Sequence, residues 1–460
     1  MHAGVAAGHP ATAAAGIATL EAGGNAADAA VAACLASCVA ETVMTGLLGG
    51  GHAIYFDAAS ERARNLDCFV AAPGLGADTR DAELIHLDVP FGAELVHYAV
   101  GPASCGVPGL PAGLVALWDR HGGLPWAELV EPALRLAETG VEFPPAHAAC
   151  LAMLAPVMTM NEGAAIYAPT GQLLRGGERL LQPGLASALA ALADDPASVY
   201  RGSIAASLLA LCEERGGLIT KHDLQAYAAA WSESVAVDYL DGRLLTRADL
   251  SGLPETVPRL PRIQQLSETE RVLALAAVLQ APSTGWGDTT NVTVVDTHGN
   301  ACVFTTSLGL GSGDFLPGLD LHLNSMLGEA DLIRGRLVPG QRMQSMMAPT
   351  LAFDGDGLSL AAGAAGGTRL RTALLGVIAG ILDEGLSAAD AVLRPRFHPA
   401  PEVVNAEPGV DEVALALLEE GGRPVRRWPA PHHYFGGVSV VSRSGSAGDP
   451  RRNGAAATPR

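Results

Sequence analysis

Two adjacent threonines, Thr289 and Thr290, open a segment rich in β-branched residues that ends at Asp296. If the backbone were cut between Asp288 and Thr289, Thr289 would carry both a hydroxyl nucleophile and a free α-amine. An α-amine has a pKa of roughly 7.7–8.0, so it can accept the hydroxyl proton near neutral pH. Threonine activated by its own terminal amine is a known nucleophile arrangement. Because threonine also suits strands, such a pair taken alone is far more often structural than catalytic.

A second candidate element is the pair Gly366-Gly367, which lies between a predicted strand (358–362) and a predicted helix that begins near Arg369. Two adjacent glycine N–H groups can form an oxyanion hole, in which each donor stabilises a tetrahedral intermediate by roughly 3–4 kcal/mol. N–H groups before a helix can also bind phosphate, but the spacing matches neither Gly-x-Gly-x-x-Gly nor a Walker sequence. The pair can assist Thr289 only if the fold brings the two together.

Other patterns for nucleophiles and metals are absent from the sequence. There is no Gly-x-Ser-x-Gly elbow and no His-Glu-x-x-His. His432 and His433 have no evident cysteine or carboxylate partner and are expected at the surface. The seven cysteines are odd in number and scattered, with no Cys-x-x-Cys pair, which indicates buried thiols and argues against a disulfide framework or a zinc site. We therefore expect neither a metal nor a cofactor.

The threonine segment is predicted to be the first strand of a β-hairpin, because β-branched residues flank the turn pair Gly299-Asn300. Elsewhere, helices and strands occur in clusters without a regular βαβ alternation. This order favours an α+β sandwich built on antiparallel sheets. Residues 231–245 are predicted to form a strand, residues 246–287 an irregular crossing around one helix, and residues 444–460 a mobile tail.

The composition describes a well-buried globular protein, with 49% hydrophobic and 17% charged residues among 460. A net charge of −19 argues against a nucleic-acid or anionic-membrane partner, since both need clustered cations. The first residues lack the charged and apolar regions of a secretory signal, and the apolar run 26–40 is too short to span a membrane. We therefore expect a cytoplasmic protein.

Short motifs follow one another along the chain in a definite order. They begin with a block from His9-Pro10 to Ala32 that contains Gly23-Gly24-Asn25-Ala26-Ala27-Asp28. The later motifs are Gly49-Gly50-Gly51, Gly106-Val107-Pro108-Gly109, Tyr200-Arg201-Gly202, Gly216-Gly217-Leu218-Ile219-Thr220, Thr289-Thr290, Gly299-Asn300-Ala301, Gly311-Ser312-Gly313, Pro349-Thr350, Gly366-Gly367 and Pro395-Arg396-Phe397-His398. In these motifs and their order the chain resembles the γ-glutamyltranspeptidases, which are self-cleaving N-terminal-nucleophile (Ntn) hydrolases.

The resemblance implies a four-layer αββα sandwich and a precursor that cuts itself before Thr289. The products would be a large-subunit segment, 1–288, and a small-subunit segment, 289–460, which together form one intertwined Ntn-hydrolase domain. Thr289 would be the nucleophile, and Ser307 stands where the family usually has a threonine that supports the nucleophilic hydroxyl. Gly366 and Gly367 match the oxyanion hole. An acyl-enzyme on Thr289 would then pass its acyl group to water or to an amine acceptor, and no cofactor is implied.

The positions matching the family's glutamate site have changed. Phe69 stands where an arginine binds the α-carboxylate of the γ-glutamyl group, and a phenyl ring cannot pair with a carboxylate. Ser325 lies in the run Asn324–Glu329 that matches the segment holding the α-amino group. The family's acids are missing from its key positions, although Glu329 could substitute for one of them. Of two paired serines, Ser345 remains and Met346 replaces the second. We expect Phe69, Ser325, Ser345 and Met346 to bind a small-molecule amide whose acyl group is not glutamyl.

Two alternatives stay open at the level of sequence. The protein could be a genuine glutathione hydrolase in which Arg342 or Arg369 replaces the missing arginine. It could also be an uncleaved, inactive homologue that serves as a binding protein, because Asp288 precedes the bond to be cut. The sequence does not identify the acyl group or its acceptor.

Overall fold

The protein consists of two antiparallel sheets packed face to face, with helices on both outer surfaces. The computed structural model describes residues 1–77, 82–91, 94–280, 289–333 and 335–459. The strands are β1 (Gly4–Ala7), β2 (Gly50–Asp57), β3 (Arg62–Cys68), β4 (Ile85–Phe91), β5 (Glu94–Val100), β6 (Val141–Glu142), β7 (Arg179–Leu180), β8 (Ala230–Glu233), β9 (Val235–Tyr239), β10 (Gly242–Thr246), β11 (Thr290–Val295), β12 (Ala301–Ser307), β13 (Phe315–Leu316), β14 (Leu321–His322), β15 (Thr350–Asp354), β16 (Gly357–Ala365), β17 (Phe397–Pro399), β18 (Val404–Ala406), β19 (Val425–Arg427), β20 (Gly437–Ser442), β21 (Gly445–Gly448) and β22 (Ala455–Ala457).

The helices lie in sequence clusters that cover one sheet or the other. They are α1 (Pro10–Glu21), α2 (Ala26–Ala40), α3 (Leu110–His121), α4 (Trp126–Thr139), α5 (Pro145–Met158), α6 (Gly163–Tyr167), α7 (Pro183–Asp194), α8 (Ser198–Arg201), α9 (Ser203–Arg215), α10 (Lys221–Ala226), α11 (Leu253–Thr256), α12 (Glu268–Val278), α13 (Arg369–Leu382), α14 (Ala388–Leu393) and α15 (Glu412–Glu420). No helix in these described ranges is long and apolar enough to cross a membrane.

The two sheets and their helices make four layers. The first sheet has the order β22-β1-β11-β12-β2-β3-β8, and the second has the order β21-β20-β16-β15-β10-β9. Helices α1, α2 and α3 pack on the first sheet, and α4, α7 and α9 belong to the same apolar core. Helices α13 and α14 pack on the second sheet, and α12 and α15 extend its core. A third cluster, which includes Ile54, Val303, Leu351 and Val441, fills the space between the sheets. The predicted α+β, four-layer αββα sandwich is confirmed.

Helix α2 shows how the sequence produces this layering. Asn25 caps its N-terminus by accepting from the N–H groups of Ala27 and Asp28, and the Asp28 side chain accepts from Asn25 in return. Every residue from Ala26 to Ala40 is buried. Small side chains on all faces let the helix lie close to the first sheet and to its neighbouring helices.

The predicted hairpin is present, since β11 and β12 pair in antiparallel register from Thr290–Thr306 to Val295–Ala301. The single strand predicted over 231–245 is wrong: β8 belongs to the first sheet, whereas β9 and β10 belong to the second. The chain therefore crosses between the sheets there, which alternating apolar residues alone could not reveal. The crossing that follows contains α11 and α12, and residues 281–288, including Asp288, lie outside the described residues.

The prediction of a mobile tail over 444–460 is wrong. Strand β21 pairs with β20, and β22 pairs with β1 at the edge of the first sheet. Between them, the buried guanidinium of Arg451 pairs with Glu407, at 2.5 Å, and with Asp449, at 3.3 Å. These ion pairs offset the cost of burying charge. The tail's small and charged residues resemble a solvated segment in the sequence because their partners lie far away along the chain.

The division at 288/289 into large and small segments stays a prediction. Residues on both sides of that boundary supply strands to both sheets, since β11 and β12 lie between β1 and β2 in the first, and β15 pairs with β10 in the second. A cut at this boundary would therefore leave two chains interleaved in one core.

Candidate active site

The start of β11 and the end of β12 lie at the same end of the strands of the first sheet, because the two strands are antiparallel. The register pairs Thr290 with Thr306, so Thr289 and Ser307 are the next residues on the two strands. Ser307 in turn pairs with Gly50 at the start of β2, and a side chain at Gly50 would contact the backbone of Phe69. Thr289, Ser307 and Phe69 therefore lie at the same end of the strands of the first sheet.

The second sheet presents the glycine pair at the same end of the sandwich. Gly366 and Gly367 follow the last residue of β16 and precede α13, with φ angles of +127° and +55° that favour glycine. An ideal Cβ on Gly366 would lie 3.6 Å from Nη2 of Arg452, and Nη1 of Arg452 donates to the carbonyl of Thr289 at 3.2 Å. One guanidinium therefore separates the glycine pair from the candidate nucleophile. The role of the glycine pair as an oxyanion hole stays a prediction.

Buried polar groups fix the first residues of β11. Thr289 is 5% exposed. The Asn291 amide donates to the Thr293 hydroxyl at 2.9 Å and accepts from Thr305 on β12 at 2.7 Å. The Ser307 hydroxyl accepts from the N–H of Gly309 at 3.0 Å. These bonds hold the strand ends that would carry the nucleophile and its supporting hydroxyl.

Sequence reasoning missed a buried carboxyl behind this strand. Glu41 follows α2, is 1% exposed, and accepts hydrogen bonds from the hydroxyls of Thr290 and Thr12, the latter at 2.6 Å. Burial raises the pKa of Glu41 to about 7, although the two hydroxyls and the nearby Arg452 guanidinium oppose the rise. The available signal was an acidic residue placed directly after a helix that is apolar on every face.

Sequence reasoning also missed Arg452 and the cavity beside it. A cavity of about 10 Å³, room for roughly one water, is lined by Thr289, Thr290, Glu41, Arg452 and His147, among others. Burial lowers the pKa of His147 to about 3, so the imidazole is neutral. The expectation that His433 lies at the surface is wrong, because it is 5% exposed and its backbone carbonyl accepts from Arg452 at 3.4 Å.

The predicted substrate-binding residues lie together. Phe69 is 1% exposed and belongs to an apolar cluster with Val70, Met326, Leu332, Met343 and Met347, against which Met346 packs half-buried. Ser345 and Ser325 border the cluster: the Ser345 hydroxyl accepts from the Met347 N–H at 3.2 Å, and that of Ser325 accepts from the Leu310 N–H at 3.1 Å. The cluster around Phe69 is therefore apolar and rich in methionine. Substrate contact by these four residues stays a prediction.

The two arginines considered as replacements have other partners. Arg342 donates to the carbonyls of Phe69, at 3.2 Å, and of Ala228, at 2.6 Å. Its Nε lies 3.4 Å from the Asp67 carboxylate, and its guanidinium lies over the Tyr227 ring. Arg369 is 1% exposed and donates to the carbonyl of Tyr434 at 3.0 Å. Neither arrangement directs a guanidinium into the Phe69 cluster.

All seven cysteines are buried free thiols, which confirms that expectation, and burial raises the pKa of the Cys302 thiol, for example. Across the described part of the chain, no group of three or more histidine, cysteine, aspartate or glutamate side chains is arranged to hold a metal ion.

Comparison with known proteins places this geometry in a family. A family profile described as Gamma-glutamyltranspeptidase matches residues 12–254 and 259–458. The chain is 30% identical over 499 aligned positions to the Acylase ACY 1 proenzyme of Pseudomonas sp. (strain V22), covering 91% of this chain and 86% of that protein. It is 25% identical to the Glutathione hydrolase proenzyme of Bacillus subtilis (strain 168), covering 98% and 90%.

Among solved structures, the cephalosporin acylase from Bacillus halodurans has the same fold, with a TM-score of 0.84 at 23% identity over 99% of this chain and 95% of that one. The family match covers nearly the whole chain, and the relatives are named as an acylase proenzyme and a glutathione hydrolase proenzyme. The chain therefore belongs to the gamma-glutamyltranspeptidase family and is an enzyme with amide hydrolase or acyltransferase activity.

Proposed function

We propose that this enzyme cuts itself between Asp288 and Thr289 and then cleaves an amide through an acyl-enzyme on Thr289, with an acyl group that lacks the α-carboxylate of glutamate. The observation that carries the substrate half of this proposal is the burial of Phe69 in a methionine-rich cluster. The placement of Thr289 beside Ser307, one guanidinium away from Gly366, supports the catalytic half.

In the proposed reaction the free α-amine of Thr289 takes the proton from the Thr289 hydroxyl, whose oxygen attacks the amide carbonyl. The Gly366 and Gly367 N–H groups stabilise the resulting oxyanion, and the Ser307 hydroxyl orients the nucleophile. The C–N bond then breaks, and the leaving amine receives the proton from the α-ammonium. Water or an acceptor amine, deprotonated by the same α-amine, attacks the ester and restores the Thr289 hydroxyl.

The apolar cluster discriminates against glutamate because it cannot solvate a carboxylate. A carboxylate brought against Phe69 and the methionines would lose water without gaining a cation, which costs several kcal/mol. An acyl chain without that charge gains about 0.8 kcal/mol for each buried methylene. The relative named Acylase ACY 1 proenzyme, which is 30% identical, supports acylase activity.

The catalytic half is tested by incubating purified wild-type chain and analysing it by electrophoresis and mass spectrometry. We expect two fragments, 1–288 and 289–460, whereas Thr289→Ala should stay whole. Thr297→Ala, in the hairpin turn, is the matched control and should be cut like the wild type. A wild-type chain that remains whole after prolonged incubation would support the uncleaved binding protein instead.

The substrate half is tested with a panel of acyl-amides on the cut enzyme: γ-glutamyl-p-nitroanilide, the glutaryl analogue, and aliphatic and aromatic acyl-p-nitroanilides. We expect kcat/KM to be highest for an acyl group without the α-carboxylate and α-amine. The glutathione hydrolase named among the relatives, matched over 98% of this chain, makes glutamyl transfer the second candidate. Robust turnover of γ-glutamyl-p-nitroanilide above all the others would favour that candidate.

A further inference from the structure

The neighbour of β11 on one side ends before the candidate nucleophile. Strand β1 pairs with β11 from Gly4–Val295 to Ala7–Val292 and ends there. Residues 289–291 therefore continue past the end of β1. Arg452 occupies this place: it is 4% exposed and its Nη1 donates to the Thr289 carbonyl at 3.2 Å. A side chain from the C-terminal tail thus supplies a hydrogen bond where the sheet no longer can.

The same guanidinium lies against the turn that carries the glycine pair. Its Nη2 is 3.6 Å from where a Cβ of Gly366 would stand, and its Cδ is 2.7 Å from the corresponding point on Gly437. Only glycine at position 437 leaves room for the arginine in this position. Arg452 therefore touches the backbone of the nucleophile and packs beside the candidate oxyanion hole.

Arg452 is held rigidly by its own neighbours. Residues Pro450–Arg452 form one turn of 3-10 helix, capped by the Asp449 carboxylate, which accepts from the N–H groups of Arg451, at 3.0 Å, and of Val438, at 3.1 Å. Asp449 also pairs with Arg396 at 2.5 Å. These bonds fix the tail to the start of β20, so the guanidinium keeps its place.

Glu41 places an ionisable carboxyl, whose pKa burial raises to about 7, in the lining of the same small cavity. One of its oxygens accepts from the hydroxyl of Thr290, the residue after the nucleophile. A side chain at Gly8 would overlap this carboxylate, so the chain approaches Glu41 closely on that side as well. Thus Arg452 binds the carbonyl of residue 289, and Glu41 binds the hydroxyl of residue 290.

We propose that Arg452 and Glu41 are positioning residues that clamp Thr289 and Thr290, so that the C-terminal tail is part of the catalytic apparatus. The inference rests on the proposed function, since it concerns the residue that becomes a chain terminus. Once the bond to residue 288 is cut, only the peptide bond to Thr290 and its noncovalent contacts hold Thr289. A displacement of about 1 Å in a reacting group can lower the rate about a hundredfold, so a clamp on both sides of the Thr289–Thr290 peptide preserves the attack geometry.

The clamp also sets the electrostatic surroundings of the new α-amine. The Arg452 cation disfavours protonation of the amine, and the Glu41 carboxylate favours it. In the described part of the chain, titratable groups near Glu41 and this cavity also include His9, His147, His433, Cys38 and Asp449. Burial holds the pKa of the three histidines below neutrality and raises that of the Cys38 thiol, and Asp449 pairs with Arg396. As the pH rises through about 7, where Glu41 becomes ionised, Arg452 and Glu41 are therefore the two opposing charges whose removal should be visible.

The test compares Arg452→Met, Arg452→Lys and Glu41→Gln with Arg371→Met, a control arginine whose Nη2 donates to the Gln280 carbonyl at 2.8 Å away from Thr289. Self-cleavage rate, kcat and KM of the cut enzyme, the pH profile of kcat/KM, and the unfolding midpoint are measured for each. We expect Arg452→Met to lower kcat about tenfold to a hundredfold with little change in KM. Arg371→Met should keep the wild-type kcat.

The pH profiles separate positioning from simple support of the fold. The acidic limb of the kcat/KM profile follows deprotonation of the α-amine. Arg452→Met should move this limb to a pH about one unit higher, and Glu41→Gln should move it to a lower pH. Arg452→Lys should leave it where it is in the wild type. An Arg452→Met chain that stays whole but unfolds at the control's midpoint also supports the clamp, because self-cleavage uses the same hydroxyl. If Arg452→Met fails to fold, the test of the clamp rests on kcat and on the acidic limb of the pH profile for Arg452→Lys and Glu41→Gln.

Two results overturn the inference, and they differ from failure of the proposed function. Unchanged kcat and pH limb in the Arg452 and Glu41 variants would refute the clamp while the wild type is cut and active. If kcat falls only as far as in Arg371→Met, and only in proportion to a lowered unfolding midpoint, Arg452 and Glu41 would merely support the fold. A wild-type chain that is neither cut nor active would refute the proposed function itself, and the clamp with it.

Discussion

Glu41→Gln should make the stability of the protein less dependent on pH. Burial raises the pKa of Glu41 from its ordinary value of 4.5 to about 7 in the folded state. Below pH 4.5 the carboxyl is protonated in both states and imposes no penalty. As the pH rises, the unfolded chain ionises first, so the favourable contribution of the neutral carboxyl is progressively lost until the pH exceeds about 7.

The magnitude follows from the same two pKa values. Their difference corresponds to about 3 kcal/mol over the full range, because one pKa unit equals about 1.4 kcal/mol. Between pH 5 and pH 8 the wild type should lose about 2–3 kcal/mol of unfolding free energy through this group alone. The side-chain amide introduced by Glu41→Gln does not titrate, and the hydroxyls of Thr12 and Thr290 can accept from it as well as donate.

The assay is urea unfolding at pH 5, 6, 7 and 8 in the Thr289→Ala background, which keeps the chain in one piece. The difference in unfolding free energy between Glu41→Gln and its parent should move in favour of the variant by about 2–3 kcal/mol from pH 5 to pH 8. The exposed Glu420→Gln is the matched control and should show a constant difference. A constant difference for Glu41→Gln as well would refute a buried carboxyl that becomes ionised only near neutrality.

Three further predictions concern the proposed site. Phe69→Ala should lower the unfolding free energy by about 3–5 kcal/mol, because it empties a buried site, and should raise KM for the preferred acyl-amide; denaturation and steady-state kinetics measure both. Gly366→Ala would put a Cβ 2.8 Å from the Gly436 Cα at a φ of +127°, so it should lower kcat about a hundredfold or more, whereas Gly376→Ala, with open space around it, should retain activity. Ser307→Thr should keep most of the self-cleavage rate, and Ser307→Ala should slow it in a gel time course; equal rates would exclude a role for that hydroxyl.

The parts of the fold that follow local rules could be predicted from the sequence. The capped, all-apolar α2 and the hairpin that turns at Gly299-Asn300 both depend on neighbouring residues and period. The antiparallel, layered architecture followed from the order of the elements. The crossing of β8 and β9 between two sheets could not be predicted, because both strands alternate alike and only distant partners distinguish them.

The candidate site divides in the same way. Thr289 and Gly366 could be found because each lies in a short motif whose residue types suggest a chemistry. Glu41 and Arg452 carry no such motif, and they reach the site only because α2 ends, and the C-terminal tail turns, beside the start of β11. A charged residue in an apolar or small-residue context was the available clue, and it indicates a buried partner without saying where that partner lies.

The distribution of these parts explains how a new acyl preference can arise without loss of the nucleophile. Thr289, Ser307 and Gly366 depend on strand ends whose positions are set by backbone pairing within two sheets. The proposed acyl site, by contrast, consists of side chains such as Phe69 and Met346, which lie outside the strands. Exchanging a side chain there alters charge and shape while leaving every ladder hydrogen bond of β11 and β16 in place. A single replacement of arginine by phenylalanine can therefore remove glutamate recognition, because the residues that would perform the chemistry do not depend on that side chain for their geometry.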